Sequence, residues 1–387
     1  MRESVRRAIR YSPSLGAAAA ELDAKNAEAQ QAGARRNPRL ESEVENFGGS
    51  GELQGFKSAE TAIGLAQVIE LGGKRIKRLE VAELDVALGG WDYEAVRLKV
   101  ATGAALAFID VMASQQRRSV LSEFVAVNRK FRSSVAERVK AGRVNTAELN
   151  RADVELASAK VRLAGERAGL DAARRKLALK WGSQSPNFGR AGGTLKASNS
   201  LPSIERAQGY LERHPQLARW GEEMARRESI HRLALAKGVP DLTLGAGMRQ
   251  LGVTNDTAVV ARVGIDLPVF NRNRRAAEAA ERRIIQGSYQ RQAARNALTA
   301  QFVDAYGKLK AAEAKLRALR SEVVPAAEAA YTATDKGYHE GKFDLLRLID
   351  TQRSLLENRM ELINTRAVFH RARTRVEALA GRSLHRL

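Results

Sequence analysis

From Leu149 to Leu177 the chain reads LNRADVELASAKVRLAGERAGLDAARRKL, and a leucine returns at every seventh position: Leu149, Leu156, Leu163, Leu170 and Leu177. A seven-residue apolar repeat held over four heptads predicts a helix packed along a coiled-coil seam. Ala152, Ala159 and Ala173 lie beside that seam, and small residues there permit close helix approach. The spacing comes back 199 residues later as Leu348, Leu355, Leu362, Phe369 and Val376. Self-similarity at a fixed offset marks a tandem duplication.

The echo extends outward from the seam. At the same offset Gly142 maps to Gly341, Arg143 to Lys342 and Gly182 to Gly381. Nearer the start, Ser12-Pro13-Ser14-Leu15 is answered by His214-Pro215-Gln216-Leu217. Twenty-five positions after each proline come Pro38-Arg39-Leu40 and Pro240-Asp241-Leu242. The organisation read from this is a first repeat over 1–182, a polar linker over 183–202 and a second repeat over 203–387. Each repeat is expected to run helix, strand, strand, very long helix, turn, helix.

The long helices are expected from near Gly73 to Lys140 and from near Arg274 to Glu340, about 100 Å each at 1.5 Å per residue. In the second, Leu298, Phe302, Ala305, Leu309, Ala312, Leu316, Leu319 and Val323 form the buried stripe. In the first, Val120, Phe124, Val127, Phe131, Val135 and Val139 keep a similar rhythm. Pro325 is expected to bend the second rod by removing a backbone donor. Gly89-Gly90 is read as a softer interruption of the first.

Four short segments have period two. Leu40, Ser42 and Val44 alternate with Glu41, Glu43 and Glu45, and Ile63, Leu65 and Ile69 stand opposite Ala62, Gly64 and Ala66. Leu242, Leu244, Ala246 and Met248 alternate with small or polar residues, as do Val259, Ala261, Val263 and Ile265. Gly48–Lys57 and Gly252–Asn255 read as hairpin loops. The strands have the roughly 9–11 residues that cross an outer membrane. A lone chain with four such strands exposes apolar surface in water or unpaired edges in lipid. Closure takes about eight strands, so two chains or three satisfy the arithmetic. A small soluble sheet capped by the helices is the plainer alternative.

Composition narrows the function. The 387 residues carry 65 Lys and Arg against 44 Asp and Glu, a net charge of +21, with 44% hydrophobic residues. That is too apolar for a disordered chain. Aromatics are only 5%, which suits closely packed helices of Ala, Leu and Val. The absence of Cys removes disulfides, thiolate metal sites and Cys nucleophiles. No stretch is apolar enough for a membrane helix, and the basic Met1–Arg10 segment does not read as an export signal. Strong basicity makes a soluble coiled-coil protein binding nucleic acid the rival reading. That rival needs a basic stripe with interleaved aromatics or a reading module, and the sequence offers neither.

At this point the residues resemble a known family. The order helix–strand–strand–long helix–turn–helix, given twice, is similar to the TolC-like outer-membrane efflux factors. Asn37-Pro38-Arg39-Leu40, Glu43-Val44-Glu45-Asn46-Phe47-Gly48-Gly49-Ser50-Gly51 and Gln67-Val68-Ile69-Glu70-Leu71-Gly72-Gly73-Lys74-Arg75 resemble the CzcC-type branch serving heavy-metal efflux. Pro325, Tyr338-His339-Glu340-Gly341-Lys342 and Leu345–Leu348 are similar to the family's second-repeat signature. The resemblance implies an α+β, mainly helical fold: coiled-coil hairpins forming a periplasmic tunnel, and strands contributed to a twelve-stranded transmembrane barrel. It implies a homotrimer in the outer membrane that extends into the periplasm and meets an adaptor protein and an inner-membrane pump of the RND class. The cargo it implies is cobalt, zinc, cadmium or nickel. Precursors of this family begin with an export signal, so the chain is read as a trimmed mature form.

No catalytic constellation or cofactor site emerges. His214, His231, His339, His370 and His385 make no zinc-like spacing, although His339, Glu340 and Asp344 cluster near the second turn. Gly142 and Gly341 sit where each rod must reverse, a position that favours the left-handed cap conformation. Through the resemblance these turns, with Arg143 and Lys342, become the tip that meets the adaptor. Matching positions assign the aperture to Tyr338, Asp350 and Glu148. Phe343 and Arg347 depart from the family's tip arginine and aspartate, which brings in Asp344.

Overall fold

The computed structural model describes residues 1–193 and 203–381. The expected linker over 194–202, and His385, lie outside the described residues. The elements are α1 (Arg2–Tyr11), α2 (Pro13–Ala32), β1 (Arg39–Glu45), β2 (Glu60–Ile69), α3 (Lys74–Lys140) and α4 (Thr146–Ala178). The short α5 (Ile204–Gln208) and α6 (Pro215–Ala218) lead into α7 (Trp220–Ala236), β3 (Leu242–Leu251) and β4 (Thr257–Ile265). α8 (Arg274–Ala318), α9 (Val324–His339) and α10 (Leu345–Ala380) complete the chain. The expected order therefore appears twice.

The chain divides into two compact units that cut across the duplication. One comprises residues 1–18, 93–217 and 295–387; the other comprises 19–92 and 218–294. Each draws on both repeats.

In the larger unit most of the seam residues are buried, while Leu149, Leu156 and Leu362 are half-buried. Leu163, Leu170, Leu177, Leu348, Phe369 and Val376 lie in its core, with Ala152 and Ala159 fully covered beside them. Ile363 takes the buried place next to Leu362. One cluster joins Phe108, Ile109 and Met112 of α3 to Leu170 and Leu177 of α4 and Ile363 and Ala367 of α10. A second joins Leu121 and Val125 to Leu163 and Leu356. The expected stripe of α8 is buried from Leu298 through Leu319, but Val323 is exposed. In α3 the line shifts: Leu121, Val125 and Val135 are buried, while Val120, Phe124 and Phe131 are half-buried against the cluster edges. A helix with neighbours on two sides needs a wider apolar face than one seam supplies. Ahead of Pro325 the rod does depart from α geometry, through a π turn over Leu319–Val323, and α9 starts with the proline in its first turn.

The smaller unit carries the sheet. Its order is β1-β2-β3-β4, antiparallel throughout, with Leu40 opposite Leu65, Ile63 opposite Met248 and Met248 opposite Val259. The apolar face is bare: Leu40 is 70% exposed, Val263 75% and Val259 83%. Among the described residues no helix caps it, so the sheet is not the small helix-capped one that was the plainer alternative. The opposite face is polar and glycine-rich. Arg249 pairs with Glu60 at 3.0 Å and Glu45 at 3.4 Å there. Gly89 does not interrupt α3, which runs unbroken for 67 residues. It is buried, and a Cβ there would lie 2.7 Å from the Lys25 side chain of α2. Gly89 is thus a helix contact, not a soft joint, while Gly90 faces open space.

Candidate functional site

Both rods end in the same device. In the first, the Arg143 amide donates to the Arg138 carbonyl and the Gly142 amide to Val139; in the second, Lys342 donates to Gly337 and Gly341 to Tyr338. This is a Schellman closure, and Gly142 (φ 66) and Gly341 (φ 74) hold the left-handed position it needs. The next helix is then capped by a side chain. Asn145 accepts from the Glu148 amide at 3.1 Å, and Asp344 accepts from the Arg347 amide at 2.9 Å. The caps sit at equivalent positions of the duplication. An Asn or Asp three residues past the reversing glycine is the sequence signal that marks them.

The two turns differ in what packs on them. Tyr338 is buried among Leu345, Leu348 and Ile349, with Phe131 of α3 at 5.9 Å between ring centroids. The Arg138 guanidinium lies 4.8 Å from the centre of its ring, a cation–π contact between the repeats. Phe343 packs against Gly337, where a Cβ would come within 2.3 Å of the ring, and the Arg347 guanidinium lies 4.7 Å from the centre of that ring. Of the expected aperture residues, the structure thus seats Tyr338 inside the protomer and uses Asp344 as a cap. Asp350 is exposed one turn from Arg353, and Glu148 is half-buried in the first turn of α4. Arg143 and Lys342 are exposed, and Lys342 pairs with Glu340 at 2.6 Å. His339 faces Asp335 at 3.8 Å. His339, Glu340 and Asp344 therefore each have other partners, and no group of three or more metal-binding side chains occurs among the described residues.

Above the turns, ionic links join the repeats. Glu155 of α4 is buried and accepts from Arg353 of α10, which raises the Arg353 pKa chiefly through that hydrogen bond. Arg359 pairs with Glu123 at 3.4 Å and Arg371 with Asp110 at 2.6 Å. These partners are not related by the 199-residue offset, so the internal repeat gave no hint of them.

Replacing the capping Asp344 with Ala is expected to cost about 1 kcal/mol. Asp350→Ala, on an exposed side chain, should stay within about 0.5 kcal/mol. Thermal unfolding of the two variants in detergent checks this; equal losses would deny the cap its role.

In the smaller unit, the Gly72-Gly73-Lys74-Arg75 string ties strand to rod. Lys74 reaches Asp241 at 2.6 Å, Arg75 the Gly33 carbonyl at 3.1 Å, and Arg78 holds Glu70 at 2.7 and 3.1 Å. The Arg78 hydrogen bond keeps the Glu70 carboxyl below its ordinary value. A lowered carboxylate stabilises the fold above the ordinary carboxylate range and loses that contribution as pH falls through the lowered value. The knot is thus firm at neutral pH.

The family model described as Outer membrane efflux protein matches residues 5–183 and 207–382. The chain belongs to that family, whose members are channels and not enzymes. The Cobalt-zinc-cadmium resistance protein CzcC of Cupriavidus metallidurans is 31% identical over 369 residues, covering 95% of this chain and 86% of CzcC. The Nickel and cobalt resistance protein CnrC of the same organism is 25% identical, over 72% of this chain and 66% of CnrC. Among solved structures, the outer membrane protein VceC from Vibrio cholerae superposes with a TM-score of 0.81 at 20% identity, covering 99% of this chain and 96% of VceC. The CzcC-like strings thus pointed to the right family and branch.

Proposed function

We propose that this protein is the outer-membrane exit duct of a tripartite system exporting heavy-metal cations of the cobalt, zinc, cadmium and nickel class. The observation that carries the channel reading is the bare apolar face of a four-stranded sheet whose two edge strands each have only one neighbour. No described helix is long and apolar enough to cross a membrane, so the sheet is what meets lipid. Two chains would close eight strands around an interior filled by side chains, whereas three give twelve and a lumen. The homotrimer follows. Identity with CzcC over most of both chains supports the metal cargo.

In this reading the turns at Gly142, Arg143, Gly341 and Lys342 meet a periplasmic adaptor, which joins the duct to an RND pump in the inner membrane. Tyr338, Asp344, Asp350 and Glu148 stand near the aperture, where carboxylates repeated by three chains attract cations without binding them tightly. The duct performs no chemistry and needs no cofactor. Deleting the gene in its native host is expected to lower tolerance to at least one of zinc, cobalt, cadmium and nickel, read as the concentration that halves growth. Unchanged tolerance to all four rejects the metal cargo.

A further inference from the structure

β1 and β4 are not neighbours, since β2 and β3 lie between them. In a flat sheet that is three strand spacings, about 14 Å. Yet Arg262 of β4 donates to Glu41 at 3.1 Å and to Glu43 at 2.8 Å, both on β1. The pairs form because the face between them is nearly empty: Arg262 is in register with Gly245, and Gly64 with Gly247. The single chain curls its sheet until the charges of its two outer strands touch.

Those two strands are also the ones with free backbone edges. On the polar face β1 carries Arg39 followed by Glu41, Glu43 and Glu45, a net negative edge, whereas the polar-face positions of β4 from Ala258 to Gly264 carry one charge, Arg262. One edge is acidic and the other basic. β1 and β4 run antiparallel in this sheet, so β4 of one copy can extend the ladder onto β1 of the next without reversing direction. Across that new pairing the strands are one spacing apart, about 4.8 Å, and opposite charges face each other without curling.

We propose that Arg262 and the Glu41–Glu43–Glu45 row are the charge code of the seam between copies, exchanged on assembly from an intrachain to an interchain pair. This rests on the three-chain barrel proposed above. The occupant of each edge is a second copy of this chain, chosen by opposite charge. The code also opposes the wrong joints: β1 against β1 sets glutamates against glutamates, and β4 against β4 sets arginine against arginine.

The chain has no cysteine, which makes the test clean. Arg262→Cys is combined in turn with Glu41→Cys, Glu43→Cys and Glu45→Cys, and each protein is purified in mild detergent, oxidised and run without reductant. One of the three pairs is expected to give covalent dimers and trimers, while the single-cysteine variants stay monomeric on the gel. A particle of trimer mass that yields only intrachain bridges, or none with any partner, overturns the seam but leaves the three-chain reading standing. A particle of monomer or dimer mass overturns both. As a second measurement, Arg262→Glu is expected to lower the trimer fraction about fivefold or more, and adding Glu41→Arg and Glu43→Arg to restore it. A charge-reversed protein that assembles at the original yield also overturns the proposal.

Discussion

Gly247→Val abolishes assembly of the barrel in the expected outcome, while Gly264→Val leaves it intact. A Cβ at position 247 would lie 2.5 Å from the Ile63 carbonyl oxygen and 2.8 Å from the Gly64 Cα. Both are backbone atoms of the neighbouring strand, so no rotamer change relieves the overlap. The β2–β3 ladder itself would have to open, at the middle of the sheet, where Gly64 and Gly247 face each other. A cost above about 4 kcal/mol is expected, in the exceptional class for a single substitution. At Gly264 the nearest atom is the Thr243 Cβ at 3.8 Å, an ordinary contact. The measurement is particle mass and yield from membranes for the two variants side by side. Normal trimers from Gly247→Val would mean the strands do not approach as described.

The second large effect sits in the helical unit. Phe369 is 0% exposed, and its chain neighbour Val368 is 44% exposed. Phe369→Ala removes a ring from a close-packed site and is expected to cost about 3–5 kcal/mol. Val368→Ala should stay within about 0.5 kcal/mol. The difference should appear as a fall on the order of 10 °C in the unfolding midpoint of the first variant only. Adjacent residues give the sharpest check of which side of α10 is the seam, because turning the helix by one position would exchange the two outcomes.

That seam was readable in advance because seven-residue periodicity is a local property, and so was the alternation of the strands. Leu163, Leu170, Phe369 and Val376 are buried as their spacing requires, and Leu40, Val259 and Val263 face outward together. Residues that meet only after the repeats pack were not readable. Arg138 covers Tyr338 from a position whose equivalent in the second repeat is Gly337, so the duplication points away from the contact. Gly89 shows the other limit. A glycine inside a helix pattern stands equally for a loose joint and for a tight contact, and only the neighbour, here Lys25, decides. The same holds for Tyr338, whose place in the sequence puts it beside the second turn but does not say which way its ring turns.

The order of the strands along the chain has a consequence for biogenesis. β2 pairs with β3 across a separation that brings Glu60 to Leu251 and Ile69 to Leu242, so half of the sheet waits for the second half of the chain. The larger unit likewise closes only when residues 295–387 join 1–18 and 93–217. Pairings so distant in sequence form slowly. Throughout that interval the β1–β2 hairpin shows Leu40, Ile63 and Leu65 on one side and open edges on the other, the species most prone to self-association. Synthesis rate and holding chaperones, more than final stability, should therefore govern how much of this protein reaches its working form.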